Sequence, residues 1–211
     1  VAQNQLNMKI FSCPSCGGEV QVRSIFSKSV ICAYCGQTSY LNVNQLEAKG
    51  TKSLLADYGS NFAVGLKGKV QNQPFQVIGR LRFDYEEGFW DEWAVIINQK
   101  EDEIYWLEES EGRLTLLKSS VVVPSKAPNY KNIKIGSEIK FEGSKIFIRA
   151  KSKATLSGGE GELPLEVIKG AQTDFVDGIC EGKPVSFEFM KGETTFNQGK
   201  TLYLHDFEFA K

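Results

Sequence analysis

Two Cys-x-x-Cys-Gly knuckles, Cys13 to Gly17 and Cys32 to Gly36, stand fifteen residues apart near the start of this 211-residue chain. No other feature restricts the fold as much, because that spacing brings four thiolates to one tetrahedral ion. Each knuckle needs a tight turn to aim two sulfurs at one point. Gly17 and Gly36 follow the second cysteine of each pair, where backbone freedom lets amides approach sulfur, and Pro14 stiffens the first turn. Between the knuckles Glu19-Val20-Gln21-Val22-Arg23 alternates as a strand does, Ser27-Lys28-Ser29 supplies a turn and Val30-Ile31 leads into the second knuckle. We therefore expect a zinc ribbon over residues 1–41, two knuckles joined through a small hairpin. So short a segment cannot bury enough apolar surface to fold alone, and the ion supplies the missing stability. Zinc held by Cys13, Cys16, Cys32 and Cys35 is expected to be structural, since four thiolates leave no position for water. Iron is the minor alternative, because the same ligands would hold it. Disulfides are the competing reading, disfavoured where nothing marks the chain as secreted.

The remaining composition is that of an ordinary globular protein, 41% hydrophobic and 24% charged, with a formal net charge of −1. That balance provides no global field to attract nucleic acid. No apolar run is long enough for a bilayer, and the opening VAQNQLNMKI has no signal-peptide pattern. The expectation is a soluble cytoplasmic protein without a transmembrane segment. From Gly65 to Leu117, eleven acids face six bases, which argues against a phosphate-binding surface there.

Beyond the ribbon the chain reads as mainly β. Residues 42–64 form a connector in which Leu46, Leu54 and Leu55 could line a short helix interrupted by Gly50. Residues 65–124 form a first antiparallel module: Phe75 to Tyr85 alternates, Trp93 to Ile97 is apolar on both faces and central, and Glu103 to Leu107 and Leu114 to Leu117 complete a meander. Residues 125–135, with Pro128 and several lysines, read as a linker. Residues 136–211 form a second module that echoes the first: a glycine, a short strand, a turn and a second strand start at Gly65 and again at Gly136. The architecture expected is two small barrel-like modules of SH3-like size, either duplicated or a plain run of hairpins. The glycine-rich stretch Ser157 to Pro164 lacks the GK[ST] ending of a phosphate loop and reads as a turn whose Glu160 and Glu162 face solvent or a partner.

Little else carries chemistry. His205 is the single histidine; with Cys180 it would make a nucleophile and base, but neither sits in a recognisable motif, and both read as packed or surface residues. Glu92 and Glu108 could do acid–base work in a cleft, although among so many acids coincidence is the better account. Trp90, Trp93 and Trp106 are all the tryptophans. Trp93 and Trp106 fall on strands expected to pair and to fill the core. Trp90, beside Asp91 and Glu92, is the candidate for an exposed aromatic rimmed by acids, suited to a cationic ligand such as a polyamine or a basic peptide; a core tryptophan is the competing reading.

Taken together, CPSCG and CAYCG, Gly79-Arg80-Leu81, EEGFWDEWAVII from Glu86, WLEE from Trp106 and GELP from Gly161 resemble the bacterial DUF4178 family, whose members often carry a preceding zinc ribbon. Gly88-x-Trp90-x-Glu92-Trp93 is the most specific piece. The resemblance brings no catalytic residues, and it implies an accessory role in a membrane-associated stress system. The function expected is a non-enzymatic adaptor that binds a protein partner or a cationic ligand. Nucleic-acid binding through Lys9, Arg23 and Lys28 of the ribbon is the alternative, and an enzyme a distant third.

Overall fold

The structure is a computed structural model that describes residues 9–42, 45–100, 102–190 and 192–210. Strands dominate it. The ribbon contributes β1 (Lys9–Ser12), β2 (Glu19–Val22), β3 (Ser29–Ile31), β4 (Gln37–Asn42) and β5 (Gln45–Lys52). β1 pairs with β2 and β3 with β4, so each knuckle sits inside its own hairpin, rather than both being joined through one. β5 pairs with β4 where a short helix was expected, and Leu54 is exposed.

Then come β6 (Lys67–Val70), β7 (Gln73–Tyr85), β8 (Gly88–Ile97), β9 (Ile104–Ser110) and β10 (Arg113–Val121). The second half supplies β11 (Glu138–Phe141), β12 (Ser144–Leu163), β13 (Gln172–Cys180), β14 (Lys183–Met190), β15 (Glu193–Leu202) and β16 (Phe207–Phe209). β7 to β10 form one antiparallel meander and β12 to β15 another. The two meanders share one sheet: β10 pairs with β15 and β7 with β12, closing an eight-stranded antiparallel barrel. Residues 125–135 are packed rather than extended. They hold two 3-10 turns, bury Ile133, and accept the Lys151 ammonium on the carbonyls of Tyr130 and Ile133.

The echo between the halves is geometric. Gly65 N–H donates to Val77 O and Val77 N–H to Leu66 O; Gly136 N–H donates to Ile148 O and Ile148 N–H to Ser137 O, 71 positions on (65 to 136, 77 to 148). Left-handed pairs turn the chain at Gln71-Asn72 and at Glu142-Gly143. A bulge follows at Ile78 in one half and at Arg149 in the other.

The glycine-rich stretch is not a turn. It is the far end of β12, lying against β7 at one seam. A Cβ on Gly161 would lie 2.3 Å from Ile78 O, and one on Gly79 would lie 2.2 Å from Glu162 O. At the other seam a Cβ on Gly199 would lie 1.9 Å from Leu116 O. The two meanders can therefore approach backbone to backbone only because these positions lack side chains. We predict that Gly199→Ala costs about 2–3 kcal/mol of unfolding free energy by overpacking the seam. Gly112→Ala, at a left-handed turn with open space around it, should cost about 1 kcal/mol. Chemical denaturation measures both, and equal costs would contradict the seam account.

Candidate metal centre and barrel lumen

The two knuckles fold alike. Gly17 N–H donates to Cys13 O and Gly36 N–H to Cys32 O, while Cys13 N–H reaches Gly18 O and Cys32 N–H reaches Gln37 O. The turns bring the four sulfurs within 4.8 Å of one another. Cys13 Sγ lies 3.8 Å from Cys35 Sγ, and Cys16 Sγ lies 3.7 Å from Cys32 Sγ. A tetrahedron with metal–sulfur bonds of about 2.3 Å has edges of about 3.8 Å, so the donor set fits a zinc-sized ion. All four are free thiols, which removes the disulfide reading. The Gln37 amide lowers the Cys35 thiol to about 7. The Gly18 amide favours the Cys16 thiolate too, but crowding by Cys35 and burial push it up to about 12. Four such sulfurs cannot all ionise without a cation between them.

Glu162 locks this ribbon to the barrel. It is 1% exposed, and its Oε2 accepts the N–H of Arg23 (2.6 Å) and of Ser24 (3.3 Å) and the Ser27 hydroxyl (3.1 Å). Burial raises its pKa, while the three donors and the Arg23 guanidinium, 3.6 Å from Oε1, favour the charged form. Glu162 thus faces neither solvent nor a partner. Glu160 pairs at 3.5 Å with Arg80. Asp91, expected on the surface, is 3% exposed and receives Arg80 Nη2 (2.8 Å) and both Arg82 Nε (2.9 Å) and Nη2 (2.7 Å). Tyr58 and Phe89 stack on each other at 4.8 Å, and the Arg82 guanidinium lies against both rings and donates to Ala56 O, so this cluster ties the connector to the barrel wall.

Trp90 is not an exposed aromatic. It is 8% exposed, stacks on Phe83 at 5.0 Å, meets Phe175 edge-on, and donates its indole N–H to Glu92 at 2.9 Å. Trp93 and Trp106 lie on paired strands but on opposite faces: Trp93 faces outward into a core with Val77 and Leu107, and Trp106 faces the lumen opposite Ala94. Cys180 is buried beside Ile146 and Val176, while His205 is exposed and stacked on Tyr203, so they do not form a catalytic pair.

The lumen holds what coincidence was expected to explain. Alternation along β8 and β9 places Trp90, Glu92, Ala94 and Ile96 on the inner face, with Glu108 directly opposite Glu92. From the other meander Asp177 of β13 and Glu188 of β14 face the same interior. Burial pushes Glu92 well above the usual carboxylate range, with Glu188 adding repulsion. Burial likewise carries Glu108 to about 8, aided by Asp177; Glu188 to about 7, against the Asn197 amide; and Asp177 to about 6, against Arg113 and Arg149. Glu108, Asp177 and Glu188 are half-buried, and desolvation is still the largest cause of each shift. The available signal was phase: Glu92 and Glu108 fall in register with apolar inward positions.

Residues 63–204 match the family model described as Domain of unknown function (DUF4178), a span that takes in β6 to β15 and leaves out the ribbon. No curated protein and no solved structure matches.

A carboxyl whose folded pKa is raised binds its proton more tightly in the folded state. Its contribution is complete below the unfolded pKa and is lost as pH rises through the folded value. The unfolding midpoint should therefore fall as pH is raised from about 5 to about 8.5. Glu108→Gln should flatten that fall. A midpoint that holds or rises over this range, followed by calorimetry, would overturn the lumen electrostatics.

Proposed function

We propose that this chain, which belongs to the DUF4178 family, is a non-enzymatic adaptor: its zinc-closed ribbon docks a protein partner and its barrel carries a cationic ligand. The observation that carries the docking half is the ribbon turn held by Glu162. Ser24 and Ser27 are anchored on that carboxylate, and between them Ile25 and Phe26 project with 73% and 49% exposure. An apolar tip fixed at both ends loses little entropy on binding. Phe26 also lines a cleft of about 920 Å³ in which Ile104, Trp106 and Pro164 alternate with charged side chains such as Lys28 and Lys118, which offers a partner a mixed apolar and charged recess beside the tip. Zinc is the ion of choice for such a four-thiolate site, and its role there is to hold the two hairpins together. Free knuckle thiols suit a reducing compartment, so we place the protein in the cytoplasm, peripheral to a bacterial membrane-stress complex. No helix among the described residues is long and apolar enough to cross a membrane. The nucleic-acid alternative is weakened because Arg23, part of its basic face, is engaged by Glu162 and Gln21.

Two measurements test this reading. The purified chain should hold one equivalent of zinc, and chelation should unfold the ribbon while the barrel, whose eight strands lie outside it, stays folded. Native capture after nuclease treatment should recover a protein partner that Ile25→Asp with Phe26→Asp loses by at least about tenfold, as expected for removal of a buried apolar anchor. Recovery of nuclease-sensitive material, unchanged by that variant, would contradict the adaptor reading.

A further inference from the structure

We propose that a cavity on the outer wall of the barrel binds a free amino acid with an apolar or aromatic side chain. Arg80 takes its carboxylate, and Glu109 takes its ammonium. This names the ligand for the ligand-binding half of the proposed function and rests on it. The ribbon's docking is tested separately, by partner capture. The cavity, of about 320 Å³, lies where Tyr58, Gly59 and Ser60 of the connector cross β7, β8 and the turn after β9. Arg80, Arg82 and Asp91 line it from the wall and are buried, at 5%, 4% and 3% exposure.

The buried charges do not balance. Each nitrogen of Arg82 has a partner: Nε and Nη2 bond Asp91, and Nη1 bonds Ala56 O. Arg80 is left short. Its Nη2 bonds the same Asp91, its Nη1 reaches only the part-exposed Glu160 at 3.5 Å, and its Nε has no hydrogen-bond partner. Two buried guanidiniums therefore share one buried carboxylate. A guanidinium with donors to spare on the wall of a cavity calls for an acceptor, and a ligand carboxylate supplies one.

The other side of the cavity carries the opposite sign. Glu109 stands directly opposite Asp91 on the neighbouring strand, an arrangement of like charges that is unfavourable by itself. Its Oε2 accepts the Trp93 indole N–H (3.0 Å) and the Ser60 hydroxyl (2.6 Å). Its Oε1 receives no hydrogen bond among the described residues. Glu87 and Glu111 add exposed carboxylates at the mouth, and Glu111 meets Arg113 at 3.5 Å.

This distribution selects a zwitterion. A simple anion would satisfy Arg80 but face Glu87, Glu109 and Glu111, and a simple cation would lie over Arg80. A molecule with both charges matches acceptor to Arg80 and donors to Glu109. Tyr58, Tyr85 and Phe89 line the cavity and give apolar surface to a side chain. A few converging polar groups between aromatic walls are the usual make-up of a small-molecule site. Access is open: a Cβ on Gly59 or Gly112 would meet nothing within 4 Å, and one on Gly88 only Tyr85, at 3.9 Å.

Three matched probes, titrated calorimetrically into the intact zinc-loaded chain at about pH 7, test this. L-Phenylalanine should bind at one site. 3-Phenylpropionate, which lacks the ammonium, and phenethylamine, which lacks the carboxylate, should each bind at least about tenfold more weakly. Arg80→Gln should weaken L-phenylalanine by at least about tenfold, and so should Gly88→Leu, which places a side chain in the mouth without removing a charge. Glu138→Gln, outside the cavity, should leave the affinity unchanged. Absence of L-phenylalanine binding, or binding that Gly88→Leu leaves intact, would overturn the proposal. Phenethylamine bound as tightly as L-phenylalanine would overturn it too, while leaving the broader cationic-ligand reading standing. Should Arg80→Gln fail to fold, Gly88→Leu and the three probes on the unaltered chain decide.

Discussion

Closure of the barrel is the constraint on which the rest depends. Two four-stranded meanders meet at two seams, β7 against β12 and β10 against β15, and at both the backbones approach more closely than a Cβ would allow. Closure removes the sheet edges that each meander alone would expose. It also creates an inside. Side chains that would be solvated on an open sheet, Glu92, Glu108, Asp177 and Glu188 among them, are turned toward one another on the inner face, where desolvation raises their pKa values. The seams thus set both the stability of the fold and the electrostatics of its interior.

The same closure positions the ribbon. β12 runs for 20 residues, long enough to pair with β13, then with β7, and finally with β3 of the ribbon through Gly161 to Leu163. Glu162 lies in that last segment, so the strand that seals the barrel also carries the carboxylate that grips the ribbon turn. On the outer wall Asp91 between Arg80 and Arg82 holds the connector. Each cluster is buried and matched in charge, which makes its geometry specific: removing one partner would leave an uncompensated charge behind.

Much of this was legible from residue order. The metal ligands follow from spacing alone, because a tetrahedral thiolate site needs little beyond two turns. The strands from Phe75 to Leu117 follow from alternation and turn residues. What could not be read were the long-range pairings. Gly158, Gly159 and Gly161 look like a loop in sequence, and only the approach of β7 to Gly159 and Gly161, and of Ser53 to Gly158, shows why glycine is required in a strand. Leu46 fits a helix face as well as it fits β5, whose partner strand decides the matter. In sequence Asp91, Glu92 and Glu162 read as surface residues, because acids usually lie there. Asp91 and Glu162 are retained inside by partners distant in sequence or on a neighbouring strand, and Glu92 by its inward phase on β8.

The most direct test is a carboxyl carbon NMR titration of the chain with labelled Asp and Glu side chains, read against Glu108→Gln, Asp177→Gln and Glu188→Gln for assignment. Asp177, Glu188 and Glu108 should titrate at about 6, about 7 and about 8, separated from the surface carboxylates. Titration of all three within the ordinary carboxylate range, about 3.5 to 4.5, would contradict a closed acidic lumen.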